Sequence, residues 1–319
     1  MEPVPIDKDA NDWYADQEGI QFFSSMISEH PNGLGVMVQT LYKHKYDDYH
    51  STFFVEEEFI AEISIASGLP ETKPFAIICL LDYQQIPCHP DLPKEYILEI
   101  SKDSFPSTRI PIHITDLQPG LHDLNVVIVR NPYEEGIDAI GENIRYSILT
   151  TVGSYNLLKD GVVESANTIK PIRVEPEGRL DRPAILDVST NPQLVNELGN
   201  IPLWIDAQGK VGEILPFFLH FNSDVYDEQG DTIAVTAFLN YEQVPLLYEG
   251  EEYLSFYVVR EADSWQRASV SIQLPYEPGI YELFVVARTD AFSPLEIEHS
   301  ERDLVGSETS KRIRIEVIP

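Results

Sequence analysis

The sequence repeats itself at long range, and nothing else in it constrains the fold as strongly. Leu81-Asp82-Tyr83-Gln84-Gln85-Ile86-Pro87 returns as Leu239-Asn240-Tyr241-Glu242-Gln243-Val244-Pro245. Gln118-Pro119-Gly120-Leu121-His122-Asp123-Leu124 returns as Glu277-Pro278-Gly279-Ile280-Tyr281-Glu282-Leu283. The offsets are 158 and 159 residues. A period of that length means two copies of one domain rather than a short-unit solenoid. At 319 residues, each copy has enough chain for its own core.

From about residue 35 onward the pattern is short β-rich runs broken by Pro/Gly turns. Phe75–Leu81 matches Ile233–Leu239, Glu95–Ile100 matches Glu252–Tyr257, and Leu124–Val129 matches Leu283–Arg288. Ile110-Pro111-Ile112-His113-Ile114 matches Ala268-Ser269-Val270-Ser271-Ile272, with apolar residues at every second position, the mark of a strand with one wet face. Each copy is expected to close on a similar strand, Ile172-Arg173-Val174-Glu175 and Ile313-Arg314-Ile315-Glu316. Residues 11–29 read as a helix capped by Asn11 or Asp12, with Trp13, Ile20, Phe23 and Ile27 on one stripe. Nothing in the second half matches that helix. The expected division is a helical extension over 1–34, a first sandwich over 35–176 and a second over 177–319.

Pro278-Gly279-Ile280-Tyr281-Glu282-Leu283-Phe284-Val285-Val286-Ala287 resembles the E–F corner and F strand of immunoglobulin-like and fibronectin type III-like domains. Asp227-Glu228-Gln229-Gly230-Asp231-Thr232, before a strand, is similar to bacterial members of that superfamily. The resemblance implies an all-β protein of two tandem antiparallel sandwiches with a short N-terminal helical extension. It also implies that Tyr281 bonds back to the preceding backbone as a tyrosine corner. The first copy has His122 at that place, a departure from the pattern. In such sandwiches the strands flanking Tyr83 usually lie in different sheets, joined by an arch.

Local function is expected where the copies differ. Cys79 and Cys88 are the whole thiol supply, and their counterparts Ala237 and Leu246 lack both together, as a bonded pair requires. Two free, buried thiols are the alternative. The connection after the F strand spans Asn131 to Thr168 in the first copy and only Asp290 to Thr309 in the second. Tyr133, Tyr146 and Tyr155 make it a candidate binding loop, and Tyr146–Val152 could be an added strand within it. Asp224, Asp227 and Asp231 form an acidic turn whose oxygen ligands suit calcium, although the spacing is not that of an EF-hand. His44, Asp48 and His50 are a lesser metal candidate.

The net charge of −31 disfavours nucleic-acid backbones and anionic membranes. No apolar run approaches the ~20 residues of a membrane span, and Met1-Glu2-Pro3-Val4 is not a signal pattern. No nucleophile elbow, phosphate-binding loop, dinucleotide fingerprint or zincin motif is present, so no catalytic residue is assigned. The expectation is a non-catalytic protein, without a cofactor unless calcium binds. It would bind other protein subunits, or act as a structural subunit, in a cell-surface or particle assembly. The alternative is a carbohydrate-binding or accessory module of a surface enzyme, with a glycan as ligand. An extracellular or cell-surface location is expected, with a signal or anchor outside this sequence. A cytoplasmic or virion assembly stays open.

Overall fold

In the computed structural model, the described residues are 34–40, 52–67, 72–100, 104–130, 150–162, 170–178, 186–190, 204–222, 232–259, 264–289, 291–292, 307–310 and 312–319, with 132, 164, 165, 167 and 261. The secondary structure among them is strand throughout, with no helix. The helix expected over 11–29 lies outside the described residues.

The first half contains β1 (Leu34–Thr40), β2 (Thr52–Val55), β3 (Phe59–Ser67), β4 (Lys73–Leu81), β5 (Gln84–Ile86), β6 (Glu95–Ile100), β7 (Ser104–Ile114), β8 (Gly120–Arg130) and β9 (Thr150–Lys159). One sheet has the order β1-β3-β7, and the other has β2-β9-β8-β4-β5 with β6 also on β4. The two close on a core that includes Ala61, Ile63, Ile110 and Ile112 from the first sheet and Phe75, Ile77, Val126 and Ile128 from the second.

The second half contains β10 (Ile172–Arg173), β11 (Pro176–Gly178), β12 (Leu186–Ser189), β13 (Trp204–Lys210), β14 (Ile214–Asn222), β15 (Thr232–Leu239), β16 (Glu242–Val244), β17 (Leu246–Tyr248), β18 (Glu251–Tyr253), β19 (Phe256–Val259), β20 (Trp265–Gln273), β21 (Gly279–Arg288), β22 (Ser307–Thr309) and β23 (Arg312–Ile318). Its sheets repeat the topology. The order β12-β14-β20 mirrors β1-β3-β7, and β13-β23-β21-β15 mirrors β2-β9-β8-β4, down to the parallel pairing of β13 with β23 and of β2 with β9.

The four sheets stack as layers. Even-numbered β4 residues Ala76, Ile78 and Leu80, with Val127 and Val129 of β8, turn away from their own core. They pack against Phe238, Phe284 and Val286 of β15 and β21. This explains the unbroken apolar run of residues 75–81: β4 is buried on both faces, so no position is free to be polar.

Three local readings shift with the register. The last strand of the first half is β9, which pairs with β8 along ten residues and stands where β23 stands in the second half. The connection leading into it is therefore 131–149, comparable with 289–306, since β22 pairs with β21 as Thr150–Val152 pairs with β8. Ile172-Arg173-Val174-Glu175, expected to close the first copy, instead leaves its sheets: β10 pairs parallel with β19, and β11 pairs with β20. Finally, Ala76 faces Ile97 while its counterpart Ala234 faces Tyr257, so β6 corresponds to β19 at an offset three residues greater than the direct sequence match. The extra length is taken up by the β17–β18 hairpin.

Candidate functional site

The site that the structure brings together lies where the halves meet, and it is built by the repeated motif itself. β4 and β5 form a hairpin with Leu81 opposite Gln84, and β15 and β16 do the same with Leu239 opposite Glu242. A two-residue loop of this kind needs positive φ at both central positions. Asp82 and Tyr83 have φ of 51° and 64°, and Asn240 and Tyr241 have 49° and 70°. Asp and Asn accept that conformation readily, but tyrosine does so at a cost in strain. What the strain provides is the direction of the ring. Tyr83 and Tyr241 are both turned inward and buried.

The two turns meet in a reciprocal arrangement. Gln85 Oε1 accepts the backbone N–H of Gln243 at 2.7 Å, and Gln243 Oε1 accepts that of Gln85 at 2.7 Å. Gln85 Nε2 donates to the carbonyl of Tyr241 at 2.8 Å, and Gln243 Nε2 donates to that of Tyr83 at 2.8 Å. Each half thus presents the same patch to the other, as in a two-fold dimer interface.

Behind each turn sits a buried acid at matching positions. The Tyr83 hydroxyl donates to Asp123, and the Tyr241 hydroxyl donates to Glu282 at 2.6 Å. The first turn residue is tied to the same strand by its side chain: Asp82 Oδ1 accepts from Asp123 N at 2.9 Å, and Asn240 Oδ1 accepts from Glu282 N at 2.8 Å. The charge partners break the symmetry. Asp123 reaches across the interface to Arg288 at 3.1 Å, whereas Glu282 pairs with Arg312 of its own half at 3.0 Å. Asp123 also accepts from Asn156 Nδ2 at 2.8 Å and from Phe292 N at 2.7 Å. Burial pushes the Asp123 carboxyl up from its ordinary range, and Arg288 opposes that push. Burial likewise holds the Tyr83 phenol well above its usual value and pushes Tyr257 up to about 12. Tyr257 and Phe292 enclose the Tyr83 ring edge-on at 5.8 and 5.3 Å.

Tyr281 forms the corner that the resemblance implies, donating its hydroxyl to the carbonyl of Glu277 at 3.0 Å. His122 performs the same task in the first half. Its Nε2 lies 2.7 Å from the carbonyl of Gln118, the counterpart of Glu277, and its Nδ1 lies 2.6 Å from Asp82 Oδ2. Burial acts to lower the His122 pKa. The bonds to Asp82 and to the Gln118 carbonyl outweigh it and leave the value above 6.5. With both ring nitrogens facing acceptors, the imidazolium is the form that satisfies both.

Cys79 and Cys88 are joined, with sulfurs 2.02 Å apart. Both alternatives for the flanking segment contribute: after the β4–β5 hairpin, the chain leaves the sheet and arches to the other one, where Cys88 accepts from His113 N at 2.8 Å. In the second half the corresponding crossing is made by β17, where Leu247 pairs with Ser271 of β20, and Ala237 and Leu246 are fully buried in place of the disulfide. Tyr155 lies within β9 and packs on Phe53 at 5.8 Å, so it belongs to the sandwich rather than to a loop. Tyr133, Tyr146, Asp224, Asp227, Asp231, His44, Asp48 and His50 lie outside the described residues. Among the described residues, no group of three or more His, Cys, Asp and Glu is arranged to hold a metal ion.

Sequence reasoning missed the interface. Its signal is the Tyr-x-Gln shared by both copies, which in the sequence marks only the repeat. Arg288 gave no signal, because its counterpart is Val129.

No protein-family model matches the chain, and no curated protein does. Among solved structures, the CARDB domain of a Pyrococcus furiosus protein, solved with di-metal ions, is 10% identical, covering 42% of this chain and 85% of that one at TM-score 0.23. The human complex of zinc 2-glycoprotein with prolactin inducible protein gives 10% identity, 39% and 94% coverage and TM-score 0.23. Red sea bream transglutaminase gives 9% identity over 95% of this chain and 34% of its own length, at TM-score 0.23. At these TM-scores the fold rests on the strand pairing and cores of the chain itself.

Proposed function

We propose that the chain is a non-catalytic protein-binding or structural module of two immunoglobulin-like sandwiches held as one rigid unit, working in a cell-surface or particle assembly. The observation that carries this reading is the interface. The buried charges where the halves meet pair with one another, Asp123 with Arg288 and Glu282 with Arg312, and the two acids also hold the turn tyrosines. Such use suits a part that fixes geometry. The immunoglobulin-like assignment is supported by the sheet membership: β1, β3 and β7 stand as strands A, B and E, and β4, β8 and β9 as C, F and G. The tyrosine corner at Tyr281 supports it further. The Cys79–Cys88 bond favours an oxidising compartment, hence export. Cross-linking of the protein in its native source, followed by purification and mass spectrometry, tests the reading. Recovery of a stoichiometric protein partner is the expected result, and a chain recovered alone refutes it.

One observation favours a glycan-binding alternative. On the outward face of β14 and β20, Arg267 lies over Phe218 at 5.5 Å and over Trp265 at 5.7 Å, and His220 stacks on Trp265 at 5.8 Å. Phe218 and Trp265 are part-exposed aromatic surface beside a guanidinium, chemistry that suits a sugar ring. Binding on a glycan array that is lost in Trp265→Ala would favour that alternative.

A further inference from the structure

The two halves differ in how one matching sheet edge is finished. In the second half, β19 pairs with β15 on one side and with β10 on the other, Ile172 facing Val258 and Arg173 facing Val259 in parallel. The added segment seals the gap between the sheets: Val174 is buried in the core, and its carbonyl accepts from Gln266 Nε2 at 2.6 Å. Under this cover Phe256 and Val258 are fully buried. In the first half the corresponding strand is β6, which pairs with β4 alone, and no described residue pairs with its outer edge. Tyr96 and Leu98, the counterparts of Phe256 and Val258, are only partly buried against the core, and Ile97 is 41% exposed. Among the described residues, the same fold therefore shows one edge paired and its counterpart without a pairing strand.

We propose that the outer edge of β6 is the docking site for an extended segment of a partner protein, added as a parallel strand. Backbone pairing along an exposed sheet edge is an established mode of peptide recognition. The occupant has apolar residues at alternate positions, to cover Tyr96 and Leu98 as Ile172 and Val174 cover the second half. Between them it has a basic residue. Arg173 stands opposite Val259, whose counterpart is Glu99, and Glu95 and Glu99 flank Ile97 on one face of β6. A basic strand also suits a chain of net charge −31. The inference rests on the protein-binding reading and deepens it by naming the surface.

The test uses the full chain and a synthetic peptide with the sequence Lys170–Gly178, read by amide hydrogen exchange. Alone, the amides of β6 that β4 leaves free exchange faster than those of β19. Saturating peptide slows them about tenfold. A peptide carrying Arg173→Glu protects less, and Glu99→Arg, on the exposed face of β6, restores it. Three exchange results would overturn the proposal. One is β6 protected without peptide as fully as β19, meaning that the chain covers its own edge. Another is protection that follows protein concentration, meaning that a second copy does so. The third is no protection at millimolar peptide. A partner that co-purifies equally with wild type and Glu99→Arg removes this edge while leaving the protein-binding reading intact.

Discussion

Gln85→Ala is the sharpest probe of what joins the halves. The residue is 7% exposed, and its side chain accepts from Gln243 N at 2.7 Å and donates to the carbonyls of Tyr241 at 2.8 Å and Lys94 at 3.3 Å. Truncation removes three bonds and leaves an N–H and a carbonyl of the opposing turn without their partners. At ~1 kcal/mol net per bond, with water recovering part of the loss, the cost is about 2–4 kcal/mol. Gln243→Ala removes the mirror-image bonds to Gln85 N, Tyr83 O and Leu254 O from a less buried position, and costs about 1–3 kcal/mol. Each side chain binds the other's backbone, so losing one loosens the target of the other. The double variant should therefore cost less than the sum of the two, by about 0.5–2 kcal/mol. Urea denaturation by circular dichroism supplies the free energies, and hydrogen exchange resolves the two halves. In wild type they protect together, and in the double variant they separate. A Gln85→Ala cost under about 0.5 kcal/mol, within the range of an ordinary surface change, would refute the reasoning, as would strict additivity.

Asp123→Asn leaves Arg288 buried without a counter-charge and should cost about 3–5 kcal/mol. Adding Arg288→Met should recover much of that loss in urea denaturation. Reducing the Cys79–Cys88 bond releases a loop of about ten residues and should cost about 3 kcal/mol in the chain-entropy picture. Cys79→Ala with Cys88→Leu, which copies the second half, should match or exceed the reduced protein in stability, as denaturation with and without reductant would show. His122 has a raised folded pKa, so its contribution is fully present below 6.5 and is lost as pH rises through the folded value. His122→Tyr should keep the bond to the Gln118 carbonyl and flatten that part of the pH profile. An unchanged slope between mildly acidic and alkaline pH would show that His122 is not its source.

Strand content was legible because alternation and turn residues are local signals. Ile110, Ile112 and Ile114 all point into the core, as their spacing demands. The layered stack was half legible: a run such as Phe75–Leu81 announces burial on both faces but does not say what covers the second one. The closing strand was misread because Ile172-Arg173-Val174-Glu175 and Ile313-Arg314-Ile315-Glu316 are similar in sequence yet pair differently, and pairing is a long-range choice. The histidine corner was hidden because its chemistry is supplied from a distance, by Asp82 in the β4–β5 turn. The interface glutamines were in plain view, but only three-dimensional contact shows that a repeated residue can be repeated in order to meet its own copy.

That contact also explains why the symmetry stops where it does. In a perfect two-fold pair, an arginine at position 129 would face Glu282 as Arg288 faces Asp123. The chain has Val129 there, packed in the apolar layer between the halves, and Glu282 turns to Arg312 within its own sheets. A second crossing ion pair would add one more buried charge, a guanidinium, to that layer, where desolvation commonly cancels the attraction it gains. One crossing pair is enough to make the two positions inequivalent, since only the first half supplies the acid that reaches across and only the second supplies the arginine. The reciprocal glutamines hold the halves together, and the single Asp123–Arg288 pair fixes which half is which.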